Sequence, residues 1–231
     1  MATFVLVHGA WGGSYGFRNV RRQLHQAGHE VYTPSLTGIG ERQHLTGPWV
    51  DLGTHVTDVV NTVRYEDLDE VVLLGFSYGG MVVTGTLDRL GDRVRSLVYL
   101  DAFVPDDGQS VADLAGFAIE DGLGVPWAMP PRPRQLDTPE AQAWSEARRV
   151  DQPARTFTQP VSLAVPLEGR GIPLTYVKAT ADPDEADDSA FWQAARRAQA
   201  SAQWAYHEID TNHMVPLTRP DELAALLTEL A

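Results

Sequence analysis

The chain has 231 residues, 43 % of them hydrophobic, enough for one well-packed domain and short for two. Its 18 basic and 31 acidic residues leave a formal charge of −13, which argues against nucleic acid or an anionic membrane surface as a partner. With no cysteine, disulfides, thiolate metal sites and cysteine nucleophiles are excluded. The start, MATFVLVHG, has neither the basic segment nor the long apolar core of a secretory signal, and no apolar run reaches membrane-spanning length. A soluble cytoplasmic protein is the expectation. Lysine occurs once, at Lys178, a bias that reads as codon usage and suggests no mechanism.

Phe4–Val7 reads as a first strand, running into His8-Gly9-Ala10-Trp11-Gly12-Gly13. Phe17, Val20, Leu24 and Ala27 recur at helical spacing and Gly28 closes that helix. Glu30–Leu36 is a short second strand, followed by TGIGERQHLTGPWVDLGTH, a stretch too long and too rich in Gly, His and Trp for a simple connector. Val56, Val59, Val60 and Val63 mark one face of a second helix. The third strand is Val71–Phe76, then comes a helix over Met81–Leu90, and Val94–Phe103 is a fourth strand carrying Asp101 near its end.

From Pro105 to about Gly171 the pattern changes. Prolines become dense (Pro126, Pro130, Pro131, Pro133, Pro139) and only short helical pieces are expected, as in an insertion folded over a sheet. Alternation resumes with strand Leu174–Ala179, helix Ala190–Ala200 and strand Gln203–Ile209. A final helix opens at Pro220 and carries Leu223, Leu226, Leu227 and Leu230. Six strands alternating with helices imply an α/β fold: a mainly parallel six-stranded sheet covered on both faces, in one domain over 1–231 with the insertion at about 105–171. Right-handed crossovers bring the carboxyl ends of the strands to one edge. The loops bearing His8–Gly13, Ser77, Asp101, Asp182 and His213 would meet there.

At that edge Gly75-Phe76-Ser77-Tyr78-Gly79 reads as G-x-S-x-G between a strand and a helix, a turn that exposes a serine as a nucleophile. The serine needs a base, and the base an orienting acid. His213, in DTNHMVP between the last strand and the last helix, is the expected base. Asp182, in KATADPDEADD after the fifth strand, is the preferred acid by chain order. The same loop also holds Asp184, Asp187 and Asp188, and Asp101 is the alternative acid from the preceding strand. The N–H of Tyr78, at the helix start, and that of Ala10, in the small-residue first loop, are the expected oxyanion donors. His8 reads as a buried histidine bracing that loop.

HGAWGG near the start, GFSYGG in the middle, LDAFVPDDG after the fourth strand and DTNHM near the end together resemble the α/β-hydrolases of the plant methyl-esterase and hydroxynitrile-lyase group. The likeness is closer to bacterial relatives that include pyrethroid-hydrolase-like esterases, which share the TLTGIGER-type loop, and it covers nearly all of the chain outside the insertion. It implies the α/β-hydrolase fold, Ser77 as nucleophile, His213 as base, Asp182 as acid, the Ala10 and Tyr78 amides as oxyanion hole, and the insertion as a lid. The lyases tend to carry threonine after the first-loop histidine and lysine after the catalytic one. Gly9 and Met214 stand there in this chain, as in the esterase branch. Phe76 departs from the histidine usual before the nucleophile, and the acid loop is longer and more acidic than the family norm.

The resulting expectation is a cofactor-free, metal-free serine hydrolase acting on a small to medium carboxylic ester. Acyl transfer or a thioesterase-like step through the same triad, and a non-catalytic ligand-binding homologue, are the alternatives. Trp11, Phe103, Trp127, Met129 and Trp144 are the expected substrate walls, with Tyr15, Tyr78 and Phe117 as further aromatic candidates. Arg42 and His44 either meet a polar substrate group or hold their own loop. The expected partner is a small molecule, with a homodimer also compatible.

Overall fold

The computed structural model describes residues 1–119, 126–183 and 185–231, so Asp184 and six residues of the insertion lie outside it. In chain order the elements are β1 (Thr3–Val7), α1 (Arg18–Gln26), β2 (Glu30–Tyr32), α2 (Leu52–Tyr65), β3 (Val71–Phe76), α3 (Gly79–Leu90) and β4 (Val94–Leu100). The insertion holds α4 (Val111–Ala115), β5 (Ala128–Met129), α5 (Pro139–Glu146), β6 (Gln152–Pro153) and α6 (Arg155–Thr158). The chain closes with β7 (Leu174–Ala179), α7 (Ala190–Gln199), β8 (Trp204–Ile209), α8 (Val215–Thr218) and α9 (Pro220–Glu229).

The expected sheet forms: six parallel strands in the order β2-β1-β3-β4-β7-β8. Because strand side chains alternate, each strand feeds both faces. Phe4, Leu6, Val72, Leu74 and Val98 join Val20 and Leu24 of α1 and Leu223 and Leu227 of α9 on one side. Val5, Val7, Leu73, Leu97 and Tyr99 join the valines of α2, the apolar face of α3 and Phe157, Val161 and Leu163 of the insertion on the other.

Local signals set the helix starts. Asp51 and Thr54 form a reciprocal capping box on α2, and Ser189 accepts the Trp192 N–H at the start of α7. Pro220 opens α9, with Asp221 and Glu222 in its first turn.

Two strands end earlier than their apolar runs suggest. β2 stops at Tyr32, and two residues beyond Pro34 the Leu36 N–H donates to His8 Nε2 (3.1 Å) instead of extending the ladder. β4 stops at Leu100 because Asp101 takes a left-handed φ of +41°. The insertion also contains an antiparallel pair, β5 with β6, that the sequence reading lacks. Among the described residues no helix is long and apolar enough to cross a membrane.

Candidate active site

β3 runs directly into Ser77, whose φ of +55° is a strained value for a residue with a side chain. The turn is tied to the next strand: the Ser77 N–H donates to Leu100 O (3.1 Å), and Ser77 O accepts the Phe103 N–H (3.2 Å). The flanking glycines are required by space. A Cβ on Gly75 would lie 2.6 Å from Gly79 O, and one on Gly79 would lie 2.5 Å from Val7 O. Any larger residue would force α3 away from the sheet and carry the serine with it.

His213 sits in the loop after β8. Its Nε2 is 2.9 Å from Ser77 Oγ across 136 positions of chain, and its Nδ1 is 2.6 Å from Asp101 Oδ2. With Nδ1–H donating to the carboxylate, Nε2 is left to accept the serine proton. The imidazole lies between two aromatic rings. Phe191, from the start of α7, stacks on it at 4.9 Å and 9°, and Phe76 packs at 4.9 Å with a 32° tilt. Phe76, which departs from the family pattern just before Ser77, therefore braces the imidazole. Burial, partly opposed by the bond to Asp101, holds His213 below the ordinary imidazole pKa, so the ring is neutral at pH 7.

The structure brings Asp101, the sequence alternative, to the imidazole, and sets Asp182 elsewhere. Asp182 Oδ2 accepts the backbone N–H of His213 (3.3 Å) and meets Arg134 of the insertion (3.2 Å). The cause is topological. Asp101 immediately follows β4, which pairs directly with β3, the strand that leads into Ser77, whereas Asp182 stands three residues beyond the end of β7, one strand further out. Asp101 is fully buried. Burial pushes its carboxyl up, but the hydrogen bond from His213 and the Lys178 ammonium outweigh that and hold it below the ordinary carboxylate value. Lys178 Nζ donates to Asp101 Oδ1 at 2.7 Å, and the Ala179 N–H reaches the same oxygen at 3.3 Å. The sequence offered no signal for this contact beyond the solitary lysine itself.

His8 is buried. Its Nδ1 donates to Gly9 O (2.8 Å) while Nε2 accepts the Leu36 N–H, so the ring fixes the loop that carries Ala10. No hydrogen bond within the described residues occupies the Ala10 or Tyr78 N–H. The Tyr78 side chain points into the core, where its hydroxyl meets His55 Nδ1 at 2.9 Å. Burial lowers His55 to about 3, so it stays neutral and donates from Nε2 to Thr37 O (2.8 Å).

Beside Ser77 and His213 opens a pocket of ≈ 630 Å³, solvent at its mouth included. Its walls include Trp11, Tyr15, Phe76, Met214 and Leu217, together with Arg134 and Arg149 from the insertion. Of the five expected substrate walls, only Trp11 lines it. Phe103 faces a separate cleft with Leu114 and Arg197, and Trp127 is exposed. Met129 offers its carbonyl to Trp11 Nε1 (3.0 Å), and Trp144 is stacked between Arg18 and Arg148. Arg42 is engaged by Asp58 (3.2 Å) and Ser35 O (2.9 Å), a holding role for its loop, and His44 is exposed. Trp11 also joins the first loop to the insertion. Its N–H donates to Gln152 Oε1 (3.0 Å) and its carbonyl accepts the Val150 N–H (3.1 Å). Among the described residues no group of three or more His, Asp or Glu is arranged to hold a metal ion.

Residues 4–226 match the model of the alpha/beta hydrolase family. Over its whole length the chain is 38 % identical to the whole of a carbendazim hydrolyzing esterase from Nocardioides sp. (strain SG-4G). Among solved structures, an extracellular alpha/beta-hydrolase from a Paenibacillus species superposes with a TM-score of 0.80 at 24 % identity, covering 99 % of this chain and 98 % of that one. A methylesterase from Arabidopsis superposes with a TM-score of 0.78 at 21 % identity, covering 100 % and 98 %. At those identities the two structures speak for the fold.

Proposed function

The chain belongs to the α/β-hydrolase family, and from that premise we propose that it is a serine esterase cleaving small to medium carboxylic esters through an acyl-enzyme. The observation that carries the reading is the continuous line of contacts from Ser77 Oγ through His213 to Asp101, at 2.9 and 2.6 Å. Ser77 attacks the acyl carbonyl and its proton passes to His213 Nε2. Asp101 holds the ring in the tautomer that can accept this proton and stabilises the imidazolium that results. The Ala10 and Tyr78 amides receive the negative charge on the tetrahedral oxygen, each worth about 10²–10³ in rate by analogy with comparable donors. His213 then returns the proton to the departing alcohol, and water repeats the sequence to free the acid.

The full-length relative is itself named an esterase, which supports ester hydrolysis. The pocket's mixed aromatic and aliphatic walls suit an ester with an apolar or aromatic portion. The insertion serves as the roof of that pocket, contributing Arg134 and Arg149. Replacing Ser77→Ala should lower kcat on p-nitrophenyl butyrate by about 10³-fold or more and abolish labelling by a fluorophosphonate, with the thermal melt unchanged. Undiminished turnover by the alanine variant would end the proposal.

A further inference from the structure

The one lysine in the chain is completely buried, and all of its hydrogen-bonding capacity is spent at the back of the triad. Nζ donates to Asp101 Oδ1 (2.7 Å), Glu185 Oε2 (2.7 Å) and Ala179 O (2.5 Å), which accounts for all three ammonium hydrogens. The ammonium also lies 4.5 Å from the centre of the Trp192 ring. Glu185 is held in turn by the Ser189 hydroxyl at 2.5 Å, and its side chain is 7 % exposed. A guanidinium is planar and cannot send three donors out tetrahedrally from one atom. In a chain that otherwise uses arginine for every cation, this position takes the other side chain.

We propose that Lys178, with Glu185 behind it, is a positioning residue of the triad. It fixes which oxygen of Asp101 faces His213 and sets the charge that the imidazole experiences. The inference rests on the Ser77–His213–Asp101 reading above. Asp101 has two oxygens in a dry site, and with Oδ1 engaged by Lys178 and the Ala179 N–H, Oδ2 is left for the imidazole. The charges follow the same logic. Two carboxylates and one ammonium leave the buried group one negative charge in excess while His213 is neutral, and the proton taken from Ser77 balances it. The polarity favours the state formed as the tetrahedral intermediate develops.

Other titratable groups face this cluster. Asp182 and Arg134 flank His213 from the loop after β7 and from the insertion. Tyr176 of β7 and Tyr206 of β8 lie near Asp101, both with hydroxyls raised chiefly by burial and so neutral at working pH. Within the cluster, Lys178 and Glu185 act with opposite sign on the His213–Asp101 pair, which titrates as a unit.

The test is the pH dependence of kcat/KM for p-nitrophenyl butyrate, run beside the pH dependence of fluorophosphonate labelling, in wild type, Lys178→Met, Glu185→Gln and the double variant. Removing the cation should raise the acid-limb midpoint by about one unit or more, and removing the carboxylate should lower it. The double variant should return toward wild type. In Lys178→Met the loss should fall on kcat, with KM changed less than about threefold, because substrate does not touch this residue. Acid limbs that coincide with wild type, or that move in the same direction in both single variants, would overturn the inference. If Lys178→Met does not fold, Glu185→Gln decides alone: a downward shift supports the assignment and an unmoved limb refutes it. The Ser77→Ala control keeps the two claims apart. An inert alanine variant with unmoved limbs sinks only the lysine's role, whereas an active one sinks the triad.

Discussion

Two aspartates hold His213, and they do so in opposite ways. Asp101 meets the ring, from a fully buried position at the end of a central strand, and its other oxygen is fixed by a lysine. Asp182 meets the backbone of the same residue, from a loop, and shares its carboxylate with Arg134 of the insertion. One is bonded to the imidazole, and the other anchors the backbone of the segment that carries it. Both residues match the general description of a triad acid, an aspartate after a strand ahead of the histidine. The difference between them is which atom of His213 lies within reach.

Exchanging the two carboxylates separately breaks the comparison most sharply. Asp101→Asn should lower kcat by about 10⁴-fold, as expected when the imidazole loses its orienting carboxylate and takes the wrong tautomer. Asp182→Asn should cost less than about tenfold, the rate equivalent of one ordinary hydrogen bond. Steady-state kinetics on one ester, with melts to confirm folding, reads both, and a reversed ranking would transfer the acid role to Asp182.

A smaller effect is expected from Phe191→Ala, which removes the ring stacked on His213. An aromatic pair is worth about 0.5–1.5 kcal/mol, so kcat should fall by roughly two- to twelvefold with KM little changed. A drop as large as that of Asp101→Asn would mean that stacking, and not the carboxylate, aims the base.

The smallest effects are shifts in pH. Burial lowers His213, so activity should persist below pH 6.5 and decline only as the neutral ring is protonated at its depressed pKa. Asp182 raises that pKa and Arg134 lowers it. Asp182→Asn should therefore move the acid limb down, and Arg134→Gln should move it up. Limbs displaced in the reverse directions would show that these two side chains act on the base other than by charge.

The sharp turn at Ser77 was legible in the sequence because its demands are local. Gly75 and Gly79 are required by contacts within a few residues of Ser77 and with β1, and any chain making this turn meets the same crowding. The six-stranded parallel sheet was legible for a similar reason, since apolar runs alternating with helical faces admit few topologies, although the order of its strands was not read from the sequence. The acid was not. Chain order favours Asp182, but reach depends on strand adjacency and on how far the chain runs past a strand end, and both are tertiary quantities. Lys178 stood out only as a solitary lysine, because its decisive partner, Asp101, lies 77 positions away on another strand end and meets it only in the folded sheet. Trp127 and Trp144 were misleading as walls: an aromatic residue in an irregular segment serves as well for surface stacking with arginine, as Trp144 does. The two-residue strands β5 and β6 are too short to show any alternation.

The bonds made by Trp11 bear on how such an enzyme would be re-engineered. This residue immediately follows Ala10, whose amide is the proposed oxyanion donor, and it is laced to the insertion through Gln152, Val150 and the Met129 carbonyl. Grafting a foreign cap to admit bulkier esters would cut those stitches and slacken the very arm that is proposed to cradle the developing charge. Redesign that keeps the Gln152 side chain and the backbone course at Met129 and Val150, and varies only the inward-facing groups around Arg134 and Arg149, would change selectivity while leaving turnover intact.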